Sequence, residues 1–478
     1  MNHPRPWHRN WLVLCVPVMI GGCINMAPQH EAPALPVAQD YAEEDQPQGV
    51  SDPLALHWQD YFADPRLKGL IETAFAANRD LVAATARIDQ ARARYRIQDS
   101  QRLPAPEIAG SSTRTRSGSD GFGALPGGAG SGDPITFNRH EVGVAVTGFE
   151  LDFWGRVANL SEAARAEYLA TDAAQRAFRL SLIGEVAQTY FALIEAQEQI
   201  ALAQATARSR EEGLRIAQVR LDAGVTSALP YRQAETLLTQ AQQQLKTQHL
   251  AAAQARNQLI VLVGGHVPEG LPEGLDLDSQ QLAQNLDAGL PSRLLLARPD
   301  IMAAEERLRG ARASIGAARA AFFPSISLTG SAGFASTDLG ALFDDGGFRW
   351  SVGPALRLPI FNWGALKGDL NLARAREVEA VALYDLAVQQ AFREVSDALA
   401  GRRWLDGQVQ TLSRAVDAQA AIARLAQLRY REGVADYLEV LDAERNLFTA
   451  RQNLLAARRN AFQNAVSLYI ALGGGAQD

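Results

Sequence analysis

The chain has 478 residues, 47% of them hydrophobic and 21% charged, and its 53 acidic against 46 basic side chains leave a formal net charge of -7. That balance excludes the basic surface of a nucleic-acid binder. A mean hydropathy of -0.12 excludes a polytopic helical membrane protein.

Residues 1–22 read as a signal peptide. Arg5 and Arg9 precede an apolar stretch from Trp11 to Ile20 that is too short to span a bilayer as a helix. The stretch ends in Ile20-Gly21-Gly22-Cys23, which resembles a bacterial lipobox, with Ile20 and Gly21 where Leu and Ala or Ser are usual. Cleavage before Cys23 would leave it to carry a diacylglycerol and an N-acyl chain, and more than one chain gives firm anchoring. Ile24 comes next rather than Asp, which favours the outer membrane. Cys15 is lost with the leader, so no disulfide is expected.

Prolines divide the mature chain. Nine of the 21 precede Arg66, six of them within 23–65, so that segment reads as a lipidated, extended arm with little capacity for helix. Segments 135–229 and 361–478 lack proline and are rich in Ala, Gln, Glu, Arg and Leu, which predicts very long helices.

The chain also repeats itself. Arg79–Ala84 matches Pro299–Ala304, and the same offset carries Arg87 onto Arg307 and Pro104 onto Pro324. A second register places Gly224-Val225 on Gly433-Val434, Ala234-Glu235 on Ala443-Glu444 and Gly264-Gly265 on Gly473-Gly474. These registers imply a tandem duplication, with repeat 1 at 66–265, a connector at 266–299, repeat 2 at 300–472 and a tail at 473–478. Each repeat is expected to hold a helix, a strand pair (103–112 with 139–151; 324–336 with 348–361), a long helix (155–222; 364–432) and a second helix (226–262; 436–472). The period-two runs Val142–Val146 and Ile326–Thr329 carry the strand prediction.

At 1.5 Å per residue each long helix would reach about 100 Å. Leu238, Leu245, Ala252 and Leu259 recur in heptads, as do Leu447, Leu454, Ala461 and Leu468, beside a second column from Leu441 to Tyr469. Adjacent apolar columns let one helix pack on either flank in a coiled coil. Aromatics gather at the strand ends: Phe149, Phe153 and Trp154 in one repeat, and Phe348, Trp350, Phe361 and Trp363 in the other. Such girdles mark membrane interfaces, and within lipid only a closed barrel satisfies strand hydrogen bonds. Four strands cannot close one, so a barrel would pool them between subunits; a water-soluble sheet packing is the competing reading.

Several runs resemble one known family. They are Arg298-Pro-Asp-Ile-Met-Ala-Ala-Glu-Glu-Arg-Leu308, Phe322-Phe-Pro-Ser-Ile-Ser-Leu-Thr-Gly330, Glu150-Leu-Asp-Phe-Trp-Gly-Arg156, Tyr430-Arg-Glu-Gly-Val434 and Tyr437–Arg445. They are similar to the outer membrane factors of Gram-negative tripartite efflux systems, the OprM- and TolC-like channels, and especially the NodT-type lipoprotein branch. The resemblance implies a mainly α protomer with a small β part. Three copies would form a homotrimer with a twelve-stranded shared β-barrel in outer membrane lipid, a long coiled-coil α-barrel and a mixed equatorial domain. It implies an exit duct that passively conducts drugs or other small solutes, served by a periplasmic adaptor and an inner-membrane pump of the RND type.

Carried over by motif, Tyr430, Leu438, Asp442 and Arg445 match the family's periplasmic gate. A ring of Asp442 from three chains would favour cations. The glycine turns suggest adaptor-docking tips at Arg220, Gly224, Val225 and Ser227, and at Arg429, Gly433, Val434 and Asp436; helix termination is the competing role of those glycines. The seven histidines are dispersed and no metal-site spacing occurs, so no catalytic residue, metal or non-covalent cofactor is expected. Asp152 reads as a helix cap. A type I protein-secretion duct and a non-conducting coiled-coil envelope scaffold are the other readings.

Overall fold

The computed structural model describes residues 25–31, 33–38, 41, 56–117, 135–282, 286 and 298–475, and it is mainly helical with one small sheet. The signal peptide and Cys23, most of the connector beyond Leu282, and residues 476–478 lie outside the described residues.

In chain order the elements are α1 (Trp58–Tyr61), α2 (Pro65–Ala77), α3 (Arg79–Ser100), β1 (Pro106–Ser117), β2 (Ile135–Leu151), α4 (Arg156–Asp222) and α5 (Ala228–Leu262). After these come α6 (Pro299–Ala320), β3 (Ser325–Ser336), β4 (Phe348–Arg357), α7 (Ala365–Arg431) and α8 (Tyr437–Ala471). The duplication is visible in the lengths. The first helix of each repeat has 22 residues, the long helix 67 and the last helix 35.

Two differences from the expected elements have physical causes. The arm is not wholly extended, because α1 forms where Trp58 and Tyr61, one turn apart, bury their rings. The first strand pair is longer than 103–112 and 139–151: β1 runs on to Ser117 and β2 starts at Ile135. Ser, Thr, Arg and Asn on these ends read as loop, yet the two strands pair without a break from Pro106↔Val146 to Ser117↔Ile135.

The described residues cluster into two compact units, one containing 89–169 and 305–382 with arm residues 25–31, the other containing 33–88, 170–304 and 383–478. In the second unit the core is centred on stacked aromatics. Tyr61 lies 4.1 Å from Tyr469, and their hydroxyls donate to the carbonyls of Ala465 and Leu56, each at 2.8 Å.

Asp64, 1% exposed, organises the polar side of that core. Its Oδ1 caps α2 by accepting from the amides of Arg66 (2.8 Å) and Leu67 (3.3 Å), with Pro65 preset at the first helical position. Its Oδ2 accepts from the Tyr190 hydroxyl (2.9 Å), the Leu275 amide (2.9 Å) and the Gln280 side chain (2.7 Å). Burial, reinforced by this carboxylate, pushes the Tyr190 phenol above its usual range and keeps it a donor. Arg298, 8% exposed, ties three more elements: its guanidinium donates to Asp300 (2.7 Å), to Glu394 of α7 (2.8 Å) and to the Ala471 carbonyl at the end of α8 (2.9 Å).

The first unit holds the sheet, which is antiparallel in the order β1-β2-β3-β4. Directly paired residues share a face. Val142, Val144 and Val146 therefore join Ile108, Ala332, Phe334, Trp350 and Val352 on an apolar face. The other face carries Glu107, Ser111, Glu141, Thr329, Ser331 and Ser351. In β2 the apolar positions switch from even numbers to odd ones at Phe149 and Leu151. A one-residue bulge between Thr147 and Phe149 absorbs the switch, with Gly148 at φ 145, a conformation open to glycine and strained for other residues. Without the bulge both side chains would point to the polar face.

Arm residues lie against α6 in the same unit. Arg312 donates to the Glu31 carbonyl (2.6 Å) and Arg319 to that of Met26 (3.1 Å), while the Asn159 amide donates to Asn25 at 2.9 Å. The Asp152 carboxylate accepts from the Ala158 amide at 2.7 Å, so it caps α4.

Candidate functional site: the two hairpin tips

The candidate gate and docking residues all fall in the second unit, at the turns joining α4 to α5 and α7 to α8. Both turns are built alike. The Val225 amide donates to the Arg220 carbonyl and the Gly224 amide to that of Leu221, each at 3.0 Å. Val434 donates to Arg429 at 3.0 Å and Gly433 to Tyr430 at 3.1 Å. This is the six-to-one and five-to-two pattern that closes a helix through a left-handed glycine, and Gly224 and Gly433 have φ 71 and 74. Ser227 and Asp436 occupy the next N-cap positions, without a side-chain cap bond in either case. Val225 and Val434 project from the tips at 67% and 66% exposure.

The four expected gate residues separate into two groups. Leu438, Asp442 and Arg445 stand at i, i+4 and i+7 of α8 and share one exposed stripe. Val440, Ala443 and Leu447 form the opposite stripe, which packs against Ala423 and Ala426 of α7. The Asp442–Arg445 ion pair, 3.2 Å long, thus lies within a single helix, and both side chains are 52% exposed.

Tyr430 does something different. Its ring packs on Tyr437 at 5.1 Å, under the Arg220 guanidinium at 5.6 Å, and its hydroxyl accepts a hydrogen bond from Arg220. Arg220 lies in the last turn of α4 and Tyr430 in that of α7, so this contact ties the two hairpins together. A second link across the α7–α8 turn joins Arg429 to Glu439 at 3.3 Å. The first hairpin has no counterpart to Asp442 and Arg445; Arg232 pairs with Glu235 there at 2.8 Å.

Two contributors escape sequence reasoning. Tyr437 is partly buried beside Tyr430, and burial, with Glu444 nearby, raises its phenol to about 12. Gly213 of α4 makes room for it, since a Cβ there would meet the Tyr437 hydroxyl. An isolated glycine inside a strongly helical pattern was the available signal. Behind the tip, Arg210 is 4% exposed, donates to the Leu237 carbonyl at 2.5 Å and lies over Phe448 at 5.1 Å. Desolvation lowers its pKa, and it makes no ion pair among the described residues.

Among the described residues no group of three His, Cys, Asp or Glu side chains is placed to hold a metal, and no helix is long and apolar enough to cross a membrane.

The chain matches a family model described as "Outer membrane efflux protein" over residues 70–265 and again over 290–474, once for each repeat. It is 41% identical over 464 residues to the solvent efflux pump outer membrane protein SrpC of Pseudomonas putida, covering 96% of each chain. The cation efflux system protein CusC of Escherichia coli K12 is 38% identical over 467 residues, covering 97% of this chain and 99% of CusC. Among solved structures, the open-state MtrE outer membrane channel of Neisseria gonorrhoeae aligns with a TM-score of 0.84 at 40% identity, covering 94% of this chain and 98% of MtrE. A crystal structure of CusC aligns with a TM-score of 0.80 at 36% identity, covering 94% of this chain and all of that one. Matched in both repeats and sharing the fold of outer membrane channels, the chain belongs to the outer membrane efflux protein family.

Proposed function

We propose that this chain is the outer-membrane exit duct of a tripartite efflux system, working as a homotrimer and conducting small solutes without chemistry of its own. One observation carries the reading: a four-stranded sheet has one apolar face, one polar face and two unpaired edges, at β1 and β4. In lipid those edges cannot stay open. Three copies joined edge to edge give twelve strands, with apolar residues toward lipid and polar residues toward a water-filled lumen.

The duplication supports the joint. Within the chain Trp154 stacks on Phe323 at 4.7 Å and donates from Nε1 to the Pro324 carbonyl at 2.9 Å, so repeat 1 holds the entry to the strand pair of repeat 2. The matching residue of repeat 2 is Trp363, and the matching acceptor is Pro104. Trp363 is 93% exposed and Leu103, beside Pro104, 70%. The same contact made by Trp363 on the next copy would close the ring.

Relatives bear the names of solvent, toluene and cation efflux components, which supports a small-solute cargo; an inner-membrane pump of the RND type would deliver it. The hairpin tips would close the periplasmic end and receive the adaptor through Val225 and Val434, and acylated Cys23 would anchor the arm in the membrane. The mass of the detergent-purified full-length assembly tests the shared barrel. Three chains are expected; a monomer that retains the complete sheet fold would overturn it.

A further inference from the structure

We propose that the outer end of β1 carries a binding site for the phosphate groups of an outer-leaflet glycolipid, formed by Arg114 and Arg116. The proposal rests on the barrel reading, because it takes the apolar face of the sheet as the lipid face.

Strand register fixes where that face stops being apolar. The last apolar row is Gly110–Val142–Phe334–Phe348, where Phe334 packs edge-on against Phe343 and Phe348 at 5.4 and 5.7 Å. The next row on the same face is Ser112–His140–Ser336, with Ser112 and His140 hydrogen-bonded at 2.9 Å. Arg114 pairs with Asn138 and Arg116 with Thr136 beyond it.

The charges are sorted by face. Glu107, Glu141 and Glu150 all lie on the polar face, as do Arg139, Arg349 and Arg357. Arg139 is ion-paired with Glu141 there. Arg114 and Arg116 are therefore the only ionised side chains that the described strands place on the apolar face. Both are exposed, and neither is ion-paired with a described residue.

Their height suits a headgroup. Arg114 is four residues past Gly110, about 13 Å along the strand, which a tilt of roughly 40° reduces to about 10 Å of depth. The headgroup layer occupies some 5–8 Å beyond the hydrocarbon, and a long arginine can lean back toward it. The two guanidinium groups start about 7 Å apart on one strand and present planar, bidentate donors suited to phosphate oxygens. Immediately below, Ile108, Val142 and Val144 offer a surface for acyl chains. A free inorganic anion would gain nothing from that apolar strip, whereas a phosphorylated glycolipid uses both parts.

The test is native mass spectrometry of the purified full-length assembly titrated with diphosphoryl lipid A, with phosphate-free lipid A and phosphatidylglycerol as the other arms. Diphosphoryl lipid A should bind about tenfold more tightly than either. Arg114→Gln with Arg116→Gln should erase the difference, while Arg139→Gln, at the same level on the opposite face, should preserve it. Equal binding of the three lipids, or an unchanged preference in the double variant, overturns the site. Conductance in bilayers free of lipid A separates this from the barrel reading. Current without lipid A preference removes the site and leaves the channel, whereas absence of current in the unsubstituted assembly removes the channel itself.

Discussion

Replacing Tyr430 with Phe should loosen the gate, and the effect can be sized. The substitution removes the hydroxyl that accepts from Arg220 but keeps the ring between Arg220 and Tyr437. A hydrogen bond to a charged donor contributes about 1.5–3 kcal/mol when buried, and partial exposure of both groups reduces this to about 1 kcal/mol. A tip that opens by moving one hairpin off the other must break this contact. If three chains open together, the combined change of about 3 kcal/mol shifts the open–closed ratio on the order of a hundredfold. The Asp442–Arg445 pair predicts the opposite. It is worth a few tenths of a kcal/mol, half exposed, and joins nothing outside α8. Asp442→Ala should therefore change cation preference while leaving open time within about twofold. Single-channel recordings of the purified variants report both quantities. An open probability unchanged by Tyr430→Phe, alongside a gate sprung by Asp442→Ala, would refute the reasoning.

Asp64→Ala strips the cap from α2 and leaves Tyr190, Gln280 and the Leu275 amide without their acceptor, for a loss of about 4 kcal/mol in denaturant unfolding; Asp64→Asn should retain about half. Gly148→Ala places its new Cβ in open space, so its cost is backbone strain alone, about 1–3 kcal/mol, measurable as reduced heat resistance of the assembled barrel. Cys23→Ala should abolish palmitate labelling; persistent label would remove the lipobox assignment.

Much of the architecture was written locally. Proline-free segments bound the long helices, and period-two runs marked the stretches of β2 and β3 where one face must be apolar. The outer ends of β1 and β2 were invisible for the converse reason: residues 113–117 and 135–138 lie beyond the apolar band, so their pattern carries no burial signal. The bulge at Gly148 reads as a break in alternation until the register of β3 shows that it preserves one face. Long-range polar contacts left no trace. Asp64 meets partners 126 to 216 residues away, and Arg220 meets Tyr430 across 210. The motif match brought Tyr430, Leu438, Asp442 and Arg445 together as one group, whereas their helix faces divide them into an interhairpin contact and an exposed stripe.

The central claim is that one face of the sheet meets lipid and the other lines water. Single cysteines placed in turn at residues 326–332 of β3, in channels held in a bilayer, test it directly with a charged, membrane-impermeant thiol reagent. Current should fall at Ser327, Thr329 and Ser331 and persist at Ile326, Leu328 and Ala332. Block at the even positions instead, or at every position alike, would contradict the assignment of the two faces.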